Sequence, residues 1–240
     1  MRICSPHCGF DPLWSGGAVY ERELLSAVAR QGGVDLHLPM PAGKIVPEVL
    51  ARAVEPRRPS RGWRWWLAPL FAVPAIRRCW NQHGFDVLRA HSARFMGPAC
   101  LLAGIRPLVV HHHHLDGAWQ EGVDRAVLER ADLVTTDSRA SLRRLQGLTR
   151  ARLALIRPGV GQEFFEAVAS RGKGTYTVAS LLFLGELKAR KNPLALPQIL
   201  RAVLDRGGLA ELTVVGDGAM RADLERSIRR HQLEESVHLV

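Results

Sequence analysis

The spacing of apolar and polar residues is most regular between Leu181 and Met220. Two short apolar runs, Leu181–Leu184 and Leu212–Val215, have the length and composition of buried strands. Between them, apolar side chains recur at helical spacing at Leu196, Ile199, Leu200, Val203 and Leu204. A strand, a helix and a strand in this order predict a βαβ unit of a parallel sheet.

The same kind of pattern along the rest of the chain predicts an α/β fold. The predicted strands are Arg2–Ser5, Val34–Leu38, Phe85–Leu88, Pro107–Val110, Leu133–Thr136, Leu153–Ile156 and Val237–Val240. The predicted helices are Ala18–Arg30, Phe95–Ala103, Val123–Arg130, Ala140–Leu148 and Met220–Leu233, with a short helix or covering segment at Ile45–Val54. We expect one domain at residues 1–165, a linker at 166–178 and a second domain at 179–240.

Composition indicates the cellular compartment more clearly than it indicates the function. The formal net charge is +10 and the isoelectric point is about 10.4, but four lysines stand against 29 arginines, so charge alone supports an anionic partner only weakly. The four cysteines are not spaced as in a disulfide framework, which favours a reducing cytosol. The first residues do not resemble a signal peptide, and the longest uncharged apolar run, Trp65–Ile76, is too short to span a bilayer.

The stretch Arg57–Trp80 has an unusual composition. It combines arginines and tryptophans around the apolar run, at Arg57, Arg58, Arg61, Arg64, Arg77, Arg78, Trp63, Trp65, Trp66 and Trp80. This composition is typical of a segment at a membrane interface, where indole lies at the headgroup level and guanidinium binds anionic lipid. A helix that covers the sheet and buries its tryptophans explains the same pattern, so the sequence leaves both interpretations open.

Residues suited to an anion follow both strands of the βαβ unit. Gly185 and then Lys188, Arg190 and Lys191 come after the first strand, and Gly216-Asp217-Gly218 comes after the second. Ligands of such sheets bind beyond the carboxyl ends of the strands. Cations near the start of a helix favour a phosphate, and glycines allow a ligand to approach the backbone.

These residues carry a specific resemblance. The pattern G-x-L-x-x-R-K-N at residues 185–192, followed by L-T-V-V-G-D-G-x-x-R-x-x-L-E at 212–225, resembles the donor-binding domain of GT-B glycosyltransferases of the retaining family four. The resemblance implies that Arg190 and Lys191 contact the nucleotide diphosphate, with Gly216 and Gly218 also at the donor site. Glu186 stands where many members have an arginine, so one expected phosphate contact differs.

Further matches lie in the first domain. A glycine pair, Gly16-Gly17, precedes the first predicted helix, and the resemblance implies that it lies against the donor phosphates and the acceptor. Four histidines end the strand Pro107–Val110, and His113 matches the family's active-site histidine, near the transferred sugar. In the motif after the strand Phe85–Leu88, Arg89 replaces the first histidine and His91 matches the second.

The histidine run also invites a metal interpretation. Alternation along a strand places His111 and His113 on one face and His112 and His114 on the other. Two ligands on one face do not make a site, and no third ligand is predicted from local spacing. We therefore predict no metal here, and no cofactor.

The resemblance implies two facing Rossmann-like domains with parallel sheets, the second incomplete. It also implies a cytoplasmic enzyme, either free or at the inner face of the membrane, that transfers a hexose with retention from a UDP- or GDP-sugar to an acceptor hydroxyl. The acceptor would belong to polysaccharide or glycolipid assembly. Because the paired glutamates of the family, E-x7-E, are not found in residues 1–240, we expect the chain alone to transfer no sugar.

Two other functions fit parts of the sequence. A nucleotide-sugar 2-epimerase shares the two-domain fold and would release an epimerised sugar nucleotide in place of a glycosylated acceptor. A noncatalytic basic module would bind membrane or nucleic acid through charge. Against nucleic acid, the arginines are scattered and no recognised binding motif is present, so we expect no nucleic-acid partner.

Overall fold

The computed structural model describes residues 1–10, 16–57, 68–112, 118–169 and 178–240. The chain divides into two compact units, Met1–Val160 and Gly161–Val240. The second unit begins with a helix, α6, at Gln162–Ala169. The boundary predicted at residue 165 therefore falls inside this helix. Of the predicted linker, 166–178, residues 170–177 lie outside the described part of the chain.

Unit 1 contains a parallel sheet covered by helices. Its strands are β1 (Arg2–Cys4), β2 (Asp35–Pro41), β3 (Val54–Arg57), β4 (Val87–Ala90), β5 (Leu108–His112), β6 (Leu133–Thr136) and β7 (Arg152–Leu155). Its helices are α1 (Gly16–Gln31), α2 (Ala68–His83), α3 (Gly97–Ala103), α4 (Ala118–Glu129) and α5 (Arg139–Gln146), with a 3-10 helix at Glu48–Ala53. The strand order is β3-β2-β1-β4-β5-β6-β7, and every described pair is parallel.

The core of unit 1 lies on both faces of this sheet. Cys4 of β1 is paired in register with His37 of β2, so Leu36 and Leu38 project to the opposite face. On the Cys4 face, Ile76 and Cys79 of α2 are fully buried. Helix α2 thus covers the sheet, as one of the two interpretations of the Arg57–Trp80 stretch predicts.

Unit 2 confirms the predicted βαβ pattern. It contains β8 (Ala179–Leu184), a 3-10 turn at Ala189–Lys191, α7 (Ala195–Leu204), β9 (Ala210–Val215), α8 (Arg221–Arg230) and β10 (Val237–Leu239). Its described strands pair in parallel in the order β10-β9-β8. Leu200, Val214 and Leu224 are fully buried, because α7 and α8 pack on the sheet.

Two elements were not predicted. Strand β3, with the sequence Val-Glu-Pro-Arg, pairs with β2 directly after the 3-10 helix that the segment Ile45–Val54 predicts. Its polar residues and Pro56 obscure the strand pattern, and proline is tolerated here because β3 is an edge strand. Helix α6 was also missed. Among the described residues, no helix is long and apolar enough to cross a membrane.

Candidate functional site

The switch point of the unit 1 sheet lies between β1 and β4. The chain continues in opposite directions across the sheet from these neighbouring strands, which leaves a crevice at their carboxyl ends where ligands of doubly wound folds bind. Ser5 and His7 follow β1, and His91 follows β4. The chain therefore brings polar groups together here from residues more than eighty positions apart.

A buried ion pair joins α1 to β4 at this switch point. The Glu21 carboxylate is fully buried and accepts two hydrogen bonds from Arg89, with Nη1–Oε2 and Nη2–Oε1 distances of 2.6 Å each. Arg89 Nη1 also donates to Ser5 Oγ at 3.3 Å. Burial alone would raise the pKa of Glu21, but the hydrogen bonds and charge of Arg89 outweigh it and lower the pKa.

A neutral histidine lies beside this ion pair. His7 is buried, and its Nδ1 accepts a hydrogen bond from the Gly9 amide at 3.0 Å, which places the ring proton on Nε2. Its ring stacks on Phe10 at 4.3 Å and lies 4.4 Å from the ring of His91. Burial, followed by the charges of His91 and Arg89, lowers the pKa of His7 well below its ordinary value. Among the described residues, His7 Nε2 is buried without a hydrogen-bond partner.

A second histidine is fixed at the end of β5. The Nδ1 atom of His111 lies 2.9 Å from Thr135 Oγ1 of β6, and its ring stacks on Tyr20 at 5.3 Å. Burial and then the charge of Glu21 raise the pKa of Tyr20, so the phenol stays protonated. Helix α1 thus contacts β4 through Glu21 and β5 through Tyr20.

The structure places the predicted residues of unit 1 unevenly. Gly16 and Gly17 begin α1, and a Cβ atom added to Gly16 would meet no described atom within 4 Å, so the protein's own packing does not require glycine there. His91 lies beside His7. His113 directly follows the last residue of β5 in sequence but lies outside the described residues.

The ion pair between Glu21 and Arg89 was not predicted from the sequence. The apolar residues Tyr20, Leu24 and Val28 are spaced four apart in α1, but the buried residues of this helix are Glu21, Leu25 and Ser26. A glutamate four residues before a buried leucine was the available signal, since a charge on a buried helix face needs a partner.

In unit 2, the loops that follow β8 and β9 are joined through their backbones. The Leu187 amide donates to the Asp217 carbonyl at 2.9 Å, and the Met220 amide donates to the Leu187 carbonyl at 2.9 Å. A Cβ atom on Gly216 would lie 2.1 Å from the Gly185 carbonyl oxygen, and one on Gly218 would lie 2.6 Å from that of Leu187. The protein's own backbone thus requires glycine at both positions. This requirement does not test the prediction that the two glycines lie at the donor site.

The predicted phosphate-binding cations lie at this same edge. Arg190 and Lys191 belong to the exposed 3-10 turn after β8, and neither has an ion pair or hydrogen bond through its side chain with any described residue. Lys188, in contrast, is paired with Glu186. The glutamate that replaces the expected arginine therefore neutralises one lysine and leaves Arg190 and Lys191 available to an anion.

One family model matches the chain. It is the model described as Glycosyltransferase Family 4, and it matches residues 14–164. No curated protein sequence matches the chain.

Solved glycosyltransferase structures share the fold. Sucrose-phosphate synthase from Thermosynechococcus elongatus is 16% identical with a TM-score of 0.70, and all of this chain matches 70% of it. HepE from Anabaena, solved with UDP and glucose, is 18% identical with a TM-score of 0.66, and all of this chain matches 69% of it. A glycosyltransferase from Rickettsia africae is 13% identical with a TM-score of 0.72, and all of this chain matches 67% of it. At these identities the likeness shows the fold alone.

We expect Glu21→Gln to destabilise unit 1. The change leaves the Arg89 charge without its buried partner, and a loss of about 3 kcal/mol in the free energy of unfolding is expected. Because the pKa of Glu21 is lowered in the folded state, the stability from its ionised form is present above the ordinary carboxyl pKa and is lost as the pH falls through the folded value. Urea unfolding at several pH values measures both effects.

The matched control is Glu23→Gln, which alters the exposed ion pair with Arg22. This variant should stay within about 0.5 kcal/mol of the wild type. An equal stability of the Glu21→Gln protein and the wild type, with the same dependence on pH, would show that the pair does not hold the switch point.

Proposed function

We propose that this chain, which belongs to glycosyltransferase family 4, contributes donor and acceptor sites for the transfer of a hexose from a nucleotide diphosphate sugar to an acceptor hydroxyl with retention of configuration. The observation that carries the proposal is the exposed Arg190–Lys191 pair, without any described ion-pair partner, at the carboxyl end of β8. The Anabaena HepE structure, which shares the fold, contains UDP and glucose. We therefore propose a UDP-sugar, with a GDP-sugar as the alternative donor.

The proposed chemistry places the largest charge change at the diphosphate. The bond between the anomeric carbon and the β-phosphate oxygen breaks, and the acceptor hydroxyl oxygen bonds to that carbon. Negative charge develops on the leaving diphosphate, which takes up the proton that the acceptor hydroxyl releases. Arg190 presents a planar set of donors suited to phosphate oxygens, and Lys191 adds a compact positive charge. Cations fixed where charge develops lower the barrier because they need no reorganisation during the reaction.

Backbone groups support this anion site. Hydrogen bonds from Leu187 and Met220 hold the loops after β8 and β9 together, so Gly216 and Gly218 lie at the same sheet edge as Arg190 and Lys191. Because these glycines have no side chains, a ligand can approach the backbone closely at this edge. We propose that their backbone lies against the diphosphate.

In unit 1 we propose that the carboxyl ends of β1, β4 and β5 bind the sugar and the acceptor. His113, which follows β5, would contact the transferred sugar, and Gly16-Gly17 would leave room for the reactants. His7 adds a buried Nε2–H donor that has no described partner, and such a donor gains from a ligand oxygen. The Glu21–Arg89 pair positions these strand ends and does not itself touch the reactants.

A surface on α2 favours an acceptor at a membrane. Leu70 and Phe71 are 56% and 41% exposed, and a groove of about 710 Å³ next to them is lined by Val73, Arg77, Arg78 and Leu102, among others. Apolar side chains beside arginines are typical of contact with an anionic lipid surface. We propose that α2 docks on the inner face of the membrane, where a lipid-linked or polysaccharide acceptor is assembled.

The surface that we propose for membrane contact includes fewer residues than the stretch Arg57–Trp80 considered from the sequence. Arg57 is 4% exposed and its Nη2 donates to the His7 carbonyl at 3.0 Å, so it cannot reach lipid. Arg77 donates to the carbonyls of Leu102 and Ala103 and is also engaged. Trp80 packs edge-on against Phe85 at 4.9 Å, and Trp63, Trp65 and Trp66 lie outside the described residues.

The anion site is tested by the double variant Arg190→Ala/Lys191→Ala. Calorimetric titration with UDP should show Kd raised by at least about tenfold, because each lost charge-assisted contact is worth roughly 1.5–3 kcal/mol. The matched control is Arg229→Ala/Arg230→Ala, which removes the same charge from exposed positions in unit 2. If the two double variants lose the same affinity for UDP, the loss depends on net charge alone, and the proposed site is contradicted.

The membrane surface is tested by Leu70→Glu/Phe71→Glu. The wild-type protein should sediment with vesicles containing anionic lipid and less so as salt increases, because the arginine contribution is screened. The double variant should lose most of this binding. The control Ile199→Glu changes a residue of α7 that is also about half exposed and should bind as the wild type does. Equal binding of all three proteins would refute docking through α2.

A further inference from the structure

Three side chains in unit 1 converge on a small volume that the proposed function does not use. His37 of β2, Glu55 of β3 and His83 at the end of α2 each offer a ligand atom, and these atoms all lie within 4.8 Å of one another. Glu55 Oε1 lies 2.7 Å from His37 Nδ1 and 3.9 Å from His83 Nε2. The two imidazole rings stack with centroids 4.6 Å apart. Three separate elements therefore present their polar groups to one point.

A thiol adds a fourth group of the same kind. Cys79 Sγ lies 3.4 Å from Glu55 Oε1, and Cys79 precedes His83 by one helical turn on α2, so both residues lie on the same face of the helix. Two imidazoles, a carboxylate and a thiol are the ligand types that zinc binds in four-coordinate sites. Such ligands lie about 2.0–2.3 Å from the metal and roughly 3.3–3.8 Å from each other, so shifts of about an ångström would suffice for His37, Glu55 and His83. Cys79 contacts Glu55 and would have to turn further toward the two imidazoles.

The surroundings of His37 also match a metal ligand. While Nδ1 faces Glu55, Nε2 on the other side of the ring is buried without a hydrogen-bond partner among the described residues, and Asp35 Oδ2 lies 3.5 Å from it, at ion-pair distance. A carboxylate behind a ligating histidine fixes the ring orientation and raises its basicity. The side chain of His37 is 11% exposed and that of His83 is 44% exposed, so the group is anchored in the protein and open to solvent on the α2 side.

We propose that His37, Glu55, His83 and Cys79 bind one divalent zinc-like ion, with Asp35 orienting His37. The site contains no residue assigned above to the donor, the sugar or the acceptor. It joins the edge strand β3 and its neighbour β2 to the carboxyl end of α2, the helix whose other face is exposed. Its role is therefore structural: the ion fixes α2 on the sheet. Because the ion binds the folded state alone, the thermal midpoint of unfolding rises with the logarithm of metal concentration once the concentration exceeds Kd.

The test uses the full chain after removal of metal with a chelator. Titration with Co²⁺ should give one tightly bound ion per chain. Its spectrum should contain the intense visible bands of four-coordinate cobalt and a near-ultraviolet band from thiolate to metal. Zn²⁺ should displace the cobalt and raise the thermal midpoint. The absence of saturable binding, or a spectrum of six-coordinate cobalt, would overturn the proposal in favour of a histidine–carboxylate hydrogen-bond network.

Variants assign the ligands. His83→Ala changes a half-exposed residue at a helix end, so the fold should persist. The Kd for Zn²⁺ should rise by well over about tenfold, because even the loss of a residue that only hydrogen-bonds to a metal ligand weakens metal binding by that much. The control His238→Ala removes a histidine of similar exposure in unit 2 and should bind as the wild type does. Wild-type affinity in the His83→Ala protein would contradict the site.

The thiol is tested separately. Cys79→Ser should abolish the near-ultraviolet cobalt band, whereas Cys8→Ser, at another partly buried free cysteine, should retain it. If Cys79→Ser fails to fold, as judged by circular dichroism, the Glu55→Gln variant replaces it and should weaken Zn²⁺ binding by at least about tenfold. Retention of the band in Cys79→Ser, or of affinity in Glu55→Gln, would refute the assignment of that ligand.

Discussion

The ion pair between Glu21 and Arg89 is the interaction on which the candidate site in unit 1 depends. It is bidentate and buried at the point where the sheet reverses its direction of winding. A buried charge is tolerated only when it is paired and hydrogen-bonded, so α1 and β4 are held in one relative position. The strand ends at this place, with His7, His91 and His111, are thereby fixed before any ligand arrives.

Unit 2 is organised by a different constraint, which acts through the backbone. Gly216 and Gly218 lie so close to Gly185 and Leu187 that no side chain fits between them. The two loops therefore form one rigid edge, and the exposed turn with Arg190 and Lys191 starts from it. A rigid edge whose cations have no ion-pair partner in the described part of the chain suits a multiply charged anion, since little conformational entropy is lost on binding.

The parts of the fold that the sequence predicts well are those with local signals. The βαβ unit was found because β8 and β9 are apolar runs of strand length and α7 has a clear helical period, although alternate residues of β8 are exposed. Strand β3 was missed because an edge strand with Pro56 has no such run. Interactions between distant residues leave almost no local trace. Arg57 has the surroundings of a lipid-facing arginine in sequence, yet it is buried against His7, fifty positions away.

The account claims for unit 1 that its strand ends, beside Glu21 and Arg89, bind the transferred sugar of the nucleotide-sugar donor. Side-chain imidazole resonances, recorded by ¹H–¹⁵N correlation while UDP-glucose is added to the labelled full chain, test this most directly. We predict saturable shifts for His7 and His91, with His7 remaining neutral, and no shift for the exposed His238. Binding of UDP-glucose, detected by calorimetry on the same sample, without any change at His7 and His91 would contradict the account.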